Sequence, residues 1–142
     1  MEKYDCLKLE NQLCFPLYAC AKEIVRKYTQ HLNQLDLTYT QYIAMMVLWE
    51  QEEVTVSELG RCLYLDSGTL TPLLKKLESK GLITRRRSEA DERIVLVRIT
   101  PEGMKLRERA AGIPPQIGNC LNLSPEEAKT MYDLCYKVLK CL

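Results

Sequence analysis

The chain has 142 residues, 46% of them hydrophobic, and its twenty basic side chains nearly balance nineteen acidic ones. A chain of this length can bury a core of its own, so one domain over residues 1–142 is expected without disulfides or metals to stabilise it. The seven cysteines are an odd number and the N-terminus is charged, which argues against a secreted protein and for the reducing cytoplasm. The longest apolar run, YIAMMVLW, is too short to span a membrane.

Three helices are predicted in the first half of the chain. Apolar residues recur at helical spacing over residues 8–34, which predicts a long first helix with one buried stripe. Thr38 followed by Gln41 is a capping-box pattern that opens a second helix, and Thr55 followed by Glu58 opens a short third one.

The segment 65–81 predicts a fourth helix, because its leucines recur on one helical face and Gly81 suits a left-handed C-terminal cap. Two helices joined by a tight turn are a helix-turn-helix candidate. The face opposite the leucines carries small, hydroxylated and cationic side chains, which suit either a DNA groove or an ordinary solvated surface. The residues expected to line the major groove on this helix are Ser67, Thr69, Thr71, Pro72, Lys75 and Lys76.

A two-stranded wing is predicted next, because LITRRR and RIVLVRI alternate apolar and polar residues and are joined by the polar segment SEADE. Between Lys75 and Arg98 the chain carries eight basic and four acidic side chains. A helix-turn-helix followed by an arginine-bearing hairpin predicts a winged-helix region over 38–100 that binds double-stranded DNA. The wing residues expected to contact DNA are Arg85, Arg86 and Arg87.

Terminal helices complete the predicted fold. Thr100 and Pro101 start a fifth helix that breaks near residues 112–115, and a sixth runs from Ser124 to Leu142. The terminal helices of residues 8–35 and 101–142 carry more apolar surface than one winged-helix region can cover, so they are expected to cover each other in a two-fold homodimer. Such a dimer presents two recognition helices and predicts a palindromic operator. The predicted fold class is mainly α with a small β-hairpin: a winged helix-turn-helix domain plus N- and C-terminal dimerisation helices.

Several stretches carry a resemblance to a known family: LENQLCFPLYA, LDLTYTQYIAMMVLWE, LYLDSGTLTPLLKKLESKG and the IPP break. With them the chain resembles the MarR family and, within it, the organic-hydroperoxide-resistance regulator branch. The resemblance implies a dimeric repressor that leaves its operator when an N-terminal cysteine is oxidised by an organic hydroperoxide, with no cofactor. The family's DxR motif falls on Asp91 and Arg93, which implies that Arg93 reaches DNA while Asp91 braces the hairpin.

The oxidised cysteine of that branch matches Cys14, whose apolar neighbours alone favour a small core residue. The resemblance implies that hydroxyls matching Tyr18 and, from the partner subunit, Tyr28 hold its thiolate. It also leaves two routes open after oxidation, a mixed disulfide with a small thiol or a disulfide to Cys120 of the partner. Pro16 departs from the branch pattern and either starts the helix near Cys14 or kinks it.

Other functions fit parts of the sequence. Seven cysteines and His31 allow a metal–thiolate sensor, although the chain has no C-x-x-C pair. A MarR-type repressor released by a small aromatic ligand is the second alternative. An enzyme is disfavoured, because a sensor thiol reacts once per event whereas a peroxidase must turn over. The cysteines other than Cys14 and Cys120 are expected to be mostly structural, with Cys62 and Cys135 near core faces.

Overall fold

The computed structural model describes residues 2–142 and divides them into two compact units, the first ending at Ala111 and the second formed by Gly112–Leu142. Within these residues the chain forms helices and one antiparallel sheet. The elements are α1 (Cys14–Leu32), α2 (Tyr39–Gln51), β1 (Glu53–Thr55), α3 (Val56–Leu63), α4 (Ser67–Ser79), β2 (Ile83–Arg87), β3 (Val95–Ile99), α5 (Pro101–Ala110), α6 (Ile113–Leu121) and α7 (Pro125–Leu139).

The first helix is shorter than the predicted span of 8–34. It begins at Cys14, after two 3₁₀ turns at Asp5–Leu7 and Leu9–Asn11. Pro16 explains this start, because proline has no N–H to bond back to the preceding turn and is tolerated only within the first turn of a helix. The helix therefore starts at Cys14 and is not kinked by Pro16. A 3₁₀ turn at Asn33–Leu35 follows its end.

Local capping fixes the helices of the first unit where the sequence predicts them. Thr38 and Gln41 form a complete capping box at α2, and Thr55 and Glu58 form another at α3. Thr100 caps α5 with Pro101 in the first turn, as predicted. These pairs satisfy N–H groups that have no partner inside the helix.

The sheet has three strands in the order β1-β3-β2, all antiparallel, where the sequence predicted a two-stranded hairpin. The additional strand β1 is only three residues long and pairs Val54 with Val97 of β3. Its three residues alternate in burial but are too few to signal a strand in the sequence, so the pairing is a feature of the tertiary fold. β1 is an edge strand of the sheet, and α3 begins directly after it at Val56.

The core of the first unit joins the leucine faces of the helices to one side of the sheet. Leu32, Leu59 and Leu77 are fully buried, with Val97 of β3 among them. Gly103 of α5 packs closely on this core: a Cβ atom there would lie 2.3 Å from the carbonyl oxygen of Leu82. In the short helix α3, Val56 and Leu63 are only half-buried, and Cys62 is exposed. The prediction of a core position for Cys62 is therefore wrong, since α3 is a short surface helix that buries only Leu59.

The second unit contains two helices, where the sequence predicted a break and one helix. The IPP motif starts α6 because prolines fit the first turn of a helix. Ile113 and Ile117 of α6 are buried, whereas α7 buries none of its residues. A capping box at Ser124 and Glu127 starts α7, which ends at Leu139 and not at Leu142.

Candidate functional site

The helix α4 presents a polar face because its leucines hold the opposite face in the core. Leu70, Leu73, Leu74 and Leu77 are all buried. Asp66 caps the helix by accepting a hydrogen bond from the Thr69 backbone N–H at 2.8 Å, and this bond lowers the pKa of the Asp66 carboxyl. The predicted groove-lining side chains are all exposed, namely Ser67, Thr69, Thr71, Pro72, Lys75 and Lys76.

Two of these residues have restricted hydrogen bonding. The Thr71 hydroxyl donates to the Ser67 carbonyl at 2.9 Å, so its hydrogen is used within the helix. Pro72 lies inside the helix and lacks an N–H, which leaves the carbonyl of Gly68 without the usual donor four residues on. Thr71 therefore offers a methyl group and acceptor lone pairs, and Pro72 offers an apolar ring.

The three consecutive arginines of β2 are engaged within the chain. Arg85 binds Glu78 of α4 through its guanidinium at 3.0 Å and its backbone N–H at 3.1 Å, and the guanidinium lowers the pKa of the Glu78 carboxyl. Arg86 pairs with Glu53 at 3.4 Å, and Arg87 donates to the Glu92 carbonyl at 2.8 Å. Arg85 thus ties the wing to α4.

The wing tip holds one strongly exposed arginine. The Arg93 side chain is 90% exposed. Its Nε and Nη2 atoms donate to the two carboxylate oxygens of Asp91, each at 3.1 Å, and this contact lowers the pKa of Asp91. A bidentate pair fixes the direction of the guanidinium while leaving further N–H donors free for an anionic partner.

A cavity of about 380 Å³ lies between α3, α4 and the wing. Its apolar surface comes from Leu74, Ile94 and Val95, and its polar surface includes Thr71 and two arginines. The arginines are Arg85 and Arg93. The Nε atom of Arg85 is buried with no hydrogen-bond partner, which leaves a donor unsatisfied beside the cavity.

Cys14 is exposed and is the first residue of α1. The first four N–H groups of a helix have no partner in the helix, and the helix dipole places a partial positive charge there, which stabilises an anion. Tyr18 is one turn further along α1 and is 64% exposed. Side chains four residues apart lie on the same helical face, with Cβ atoms roughly 5–6 Å apart. Tyr18 is therefore a neighbour of Cys14 in the same chain.

Tyr28 lies far from Cys14 in the same chain. The two residues are fourteen positions apart on one helix, which corresponds to roughly 21 Å at 1.5 Å per residue. Tyr28 packs on Tyr39 and Tyr42, with ring centroids 5.0 and 5.7 Å away. Burial raises the pKa of Tyr28 and Tyr39 and raises that of Tyr42 to about 12. These hydroxyls remain protonated donors at neutral pH.

The remaining cysteines are dispersed. Cys120 is exposed and lies in the last turn of α6, a helix in the segment that the sequence analysis left between its fifth and sixth helices. Cys135 is half-buried on α7.

Across residues 2–142, no three His, Cys, Asp or Glu side chains are grouped so that they could hold a metal ion. No helix in the same residues is both long and apolar enough to span a bilayer.

Known proteins are similar to this chain in sequence and in fold over nearly its whole length. A family model described as "Transcriptional regulator SarA/Rot" matches residues 26–109. The organic hydroperoxide resistance transcriptional regulator of Bacillus subtilis (strain 168) is 49% identical over 99% of this chain and 95% of its own length. A MarR variant from E. coli, solved with operator DNA, is 26% identical, covers 98% of this chain and 99% of its own, and superposes with a TM-score of 0.83. The chain belongs to the MarR family of transcriptional regulators.

Another MarR-like relative, AbfR of Staphylococcus epidermidis, has been solved in different redox states. Reduced AbfR bound to DNA is 34% identical, covers 98% of this chain and 97% of its own, and has a TM-score of 0.79. The disulfide form of AbfR is 30% identical, covers 96% of each chain and has a TM-score of 0.68. As a member of the MarR family, the present protein is a winged-helix transcriptional regulator and not an enzyme.

Two features of this MarR-family site are not evident in the sequence. The ring of Tyr39 packs against that of Tyr28 in a tilted arrangement, so a second tyrosine lies beside the one that the sequence singles out. The bond from Arg85 to Glu78 joins the wing to α4. The position of Tyr39 directly after the Thr38 cap does not indicate that it packs against Tyr28. Glu78 lies seven residues before Arg85, a spacing that indicates an ion pair only once the position of β2 beside α4 is known.

Proposed function

We propose that this protein is a dimeric repressor that binds a palindromic duplex operator and releases it when an organic hydroperoxide oxidises Cys14. The observation that carries the proposal is the exposed thiol of Cys14 at the start of α1, one turn from the Tyr18 hydroxyl. Its relatives support it, since one is named for organic hydroperoxide resistance and another is solved in reduced and disulfide forms.

Exposed apolar surfaces support the dimer. In the first unit, Leu13 is 78% exposed and Phe15 and Leu17 are more than 40% exposed. In the second unit, α7 buries none of its residues and exposes Leu134 and Val138. Large exposed apolar surfaces mark interaction sites in soluble proteins. We expect each surface to be covered in a two-fold dimer.

The dimer also supplies the second tyrosine of the proposed sensor. Because Tyr28 is roughly 21 Å along α1 from Cys14 in its own chain, a Tyr28 hydroxyl at the thiolate has to come from the other subunit. Tyr39 packs against Tyr28 and adds a hydroxyl to the same surface. Protonated tyrosines donate hydrogen bonds, and hydrogen bonds to the charged form of a thiol favour that form.

The proposed reaction conserves atoms and electrons. The Cys14 thiolate attacks the outer oxygen of the hydroperoxide, an S–O bond forms, the O–O bond breaks, and the alkoxide leaves and takes up a proton to become an alcohol. The sulfur is oxidised to a sulfenic acid. A second thiol then attacks that sulfur, an S–S bond forms and water leaves. We propose Cys120 of the partner subunit as this thiol, with a small-molecule thiol as the alternative.

The proposed DNA interface combines α4 and the wing. The exposed face of α4 enters the major groove, where hydroxyls and the apolar surfaces of Thr71 and Pro72 suit base edges and thymine methyl groups. Lys75 and Lys76 suit phosphates. Arg93 suits the backbone or the minor groove. Since Arg85, Arg86 and Arg87 have partners within the chain, we expect them to act mainly by holding the wing and adding positive charge.

The proposed function is tested by DNA binding in two redox states. A duplex selected from a random-sequence library by the reduced protein serves as the operator, and fluorescence anisotropy measures its affinity before and after one equivalent of cumene hydroperoxide. We expect tight binding before treatment and a loss of about tenfold or more afterwards, within the usual range of allosteric coupling. Equal affinity in the two states would refute the redox switch, and failure to select any duplex would refute the DNA-binding function.

The Arg93→Ala substitution is expected to weaken binding to all duplexes alike, because a lost phosphate contact carries no sequence information. The slope of log affinity against log salt should fall in magnitude by about one per contact removed in each subunit. Titrations at several salt concentrations measure this. Arg93→Lys keeps the charge and should keep most of the slope, and Arg107→Ala, on α5, is the control. An Arg93→Ala protein with unchanged affinity and slope would exclude Arg93 from the interface.

The Cys120→Ser substitution is expected to abolish a covalent dimer. Wild-type protein treated with one equivalent of hydroperoxide should run as a dimer on a non-reducing gel and yield a linked Cys14–Cys120 peptide pair. The variant should remain monomeric on the gel and retain a trappable sulfenic acid. Cys62→Ser, at another exposed cysteine, is the matched control. If Cys120→Ser still forms the covalent dimer and leaves DNA normally, another thiol resolves the sulfenic acid.

A second candidate function is release by a small aromatic or other apolar anion. The cavity between α4 and the wing favours it, because an apolar wall lies beside two arginines and a buried, unpartnered Nε donor. An anion bound there would contact Thr71 and Arg93, which the first proposal assigns to DNA. Release of the operator by an aromatic carboxylate, unchanged in a Cys14→Ser protein, would favour this function over the redox switch.

A further inference from the structure

Lys80 forms an unusual set of contacts immediately after the recognition helix α4. It is the C-cap residue of that helix. Its ammonium group donates to the backbone carbonyl of Asp36 and to Gln41 Oε1 at 3.1 Å, and it lies 3.7 Å from the Asp36 carboxylate. Two of the three ammonium donors therefore have hydrogen-bond acceptors in the chain, and the carboxylate adds only an ion pair. The Lys80 side chain is 28% exposed and the Asp36 side chain 91% exposed, so the two hydrogen bonds, and not the ion pair, hold the lysine in place.

The acceptors belong to the connection between α1 and α2. We name residues 33–37 the α1–α2 junction. Leu35 and Leu37 are buried in the core, and Asp36 has a left-handed backbone with φ of 53°. The junction is therefore fixed in position relative to the core, and Lys80 bonds to the carbonyl of its left-handed residue, Asp36.

Gln41 connects this lysine to the start of α2. It is 3% exposed and is the only polar residue in the core of the described chain. Its Oε1 atom accepts from the Thr38 backbone N–H at 3.1 Å as well as from Lys80. Buried polar groups persist when their hydrogen bonds are satisfied, and such networks fix one arrangement of the elements that they join. The amide oxygen of Gln41 thus joins the ends of two helices.

A second cation holds the same junction from another helix. Arg109 of α5 donates through Nη2 to the backbone carbonyl of Gln34. The junction therefore receives a charged donor from α4 and another from α5. Of the two, only Lys80 is attached to the helix that carries the proposed base-reading residues.

From these contacts we propose that Lys80 is a positioning residue that sets the orientation of α4 against the end of α1. It touches no DNA itself. Since α1 carries Cys14 at its other end, a displacement of α1 on oxidation reaches α4 through the junction and Lys80. The inference rests on the proposed function and deepens it, because it names the contact through which the state of the sensor helix reaches the recognition helix.

The test compares Lys80→Met with Lys80→Arg in the full-length dimer. Methionine keeps an unbranched apolar stem and removes the charge and the donors, whereas arginine keeps both. We expect Lys80→Met to bind the selected operator about tenfold more weakly than wild type, a change within the roughly 5–150-fold range of allosteric coupling. We also expect the affinities of its reduced and oxidised forms to differ by less than they do in wild type. Affinity for a random duplex and the salt slope should stay unchanged, because no phosphate contact is lost. Lys80→Arg should restore both properties.

Each outcome discriminates between a positioning role and a merely structural one. A structural role would lower the melting temperature of Lys80→Met while the folded protein kept its operator affinity and its response to hydroperoxide, and this result would overturn the inference. Lys105→Met, at an exposed lysine of α5, is the control for the loss of a positive charge. If the wild-type protein bound no duplex, the proposed function itself would fail. If wild type behaved as proposed and Lys80→Met had the same operator affinity and the same response to hydroperoxide, this inference alone would fail.

Discussion

The Cys14→Ser protein will bind the selected operator with the affinity of the reduced wild type and will stay bound after treatment with an organic hydroperoxide. Serine has nearly the same size as cysteine, so the start of α1 and its neighbour Tyr18 should be undisturbed. A hydroxyl does not form a sulfenic acid, so the first chemical step is removed. Wild type is expected to lose about tenfold or more in affinity under the same treatment, and anisotropy titrations compare the two.

The control for Cys14→Ser is Cys20→Ser, which changes another exposed cysteine on the same helix. This variant should respond to hydroperoxide as wild type does, with the same loss of operator affinity and the same linked Cys14–Cys120 peptide pair. Release of the Cys14→Ser protein by hydroperoxide would contradict the sensor assignment and transfer it to another thiol. Loss of DNA binding by the untreated Cys14→Ser protein would instead show that the thiol itself is required for the DNA-binding conformation.

The Gly103→Ala substitution will destabilise the protein substantially. A Cβ atom at this position would lie 2.3 Å from the Leu82 carbonyl oxygen and 2.8 Å from Ile99 Cγ1, and both neighbours are part of the packed core. Overpacking costs typically 1–3 kcal/mol, against which the better helix propensity of alanine returns up to about 1 kcal/mol. Because the approach to the Leu82 carbonyl oxygen is so close, we take the upper end of that cost, about 3 kcal/mol, less about 1 kcal/mol, and expect a net loss of about 2 kcal/mol and a fall in Tm of about 6 °C.

Trp49 provides a local probe of this change, because its indole N–H donates to the Gly103 carbonyl at 2.8 Å and it is the only tryptophan in the chain. Its emission should shift in the variant even at temperatures where the protein is folded. The control is Gly118→Ala, where a Cβ atom would meet nothing within 4 Å. All proteins are compared at one concentration, since oligomer stability depends on it. A Gly103→Ala protein as stable as wild type would show that α5 can shift away from Leu82 without cost.

The helices with local signals were predictable from the sequence. The capping pairs Thr38–Gln41 and Thr55–Glu58 lie within three residues of one another, so their geometry is encoded locally. The strand β1 was missed because its pairing partner, β3, lies more than forty residues away and three residues are too few to signal a strand. The helix α6 was read as a break, because IPP ends one helix and equally well starts the next.

The candidate site was less predictable than the fold. Sequence patterns place Thr71 and Lys75 on one face of α4, because helical periodicity determines faces. They do not show that Arg85 reaches Glu78 of α4, which depends on the distance between a strand and a helix. The position of Cys62 was mistaken for the same reason: periodicity identifies a helical face but not which elements cover it.

The distance between Cys14 and Tyr28 along α1 has a genetic consequence. If each sensor takes its cysteine from one subunit and its tyrosine from the other, a mixed dimer of a Cys14→Ser subunit and a Tyr28→Phe subunit contains one site with both defects and one intact site. Each allele alone would impair every site in its own dimers. Together in one cell they would restore half of the sites in the mixed dimers, so two defective gene copies would complement each other.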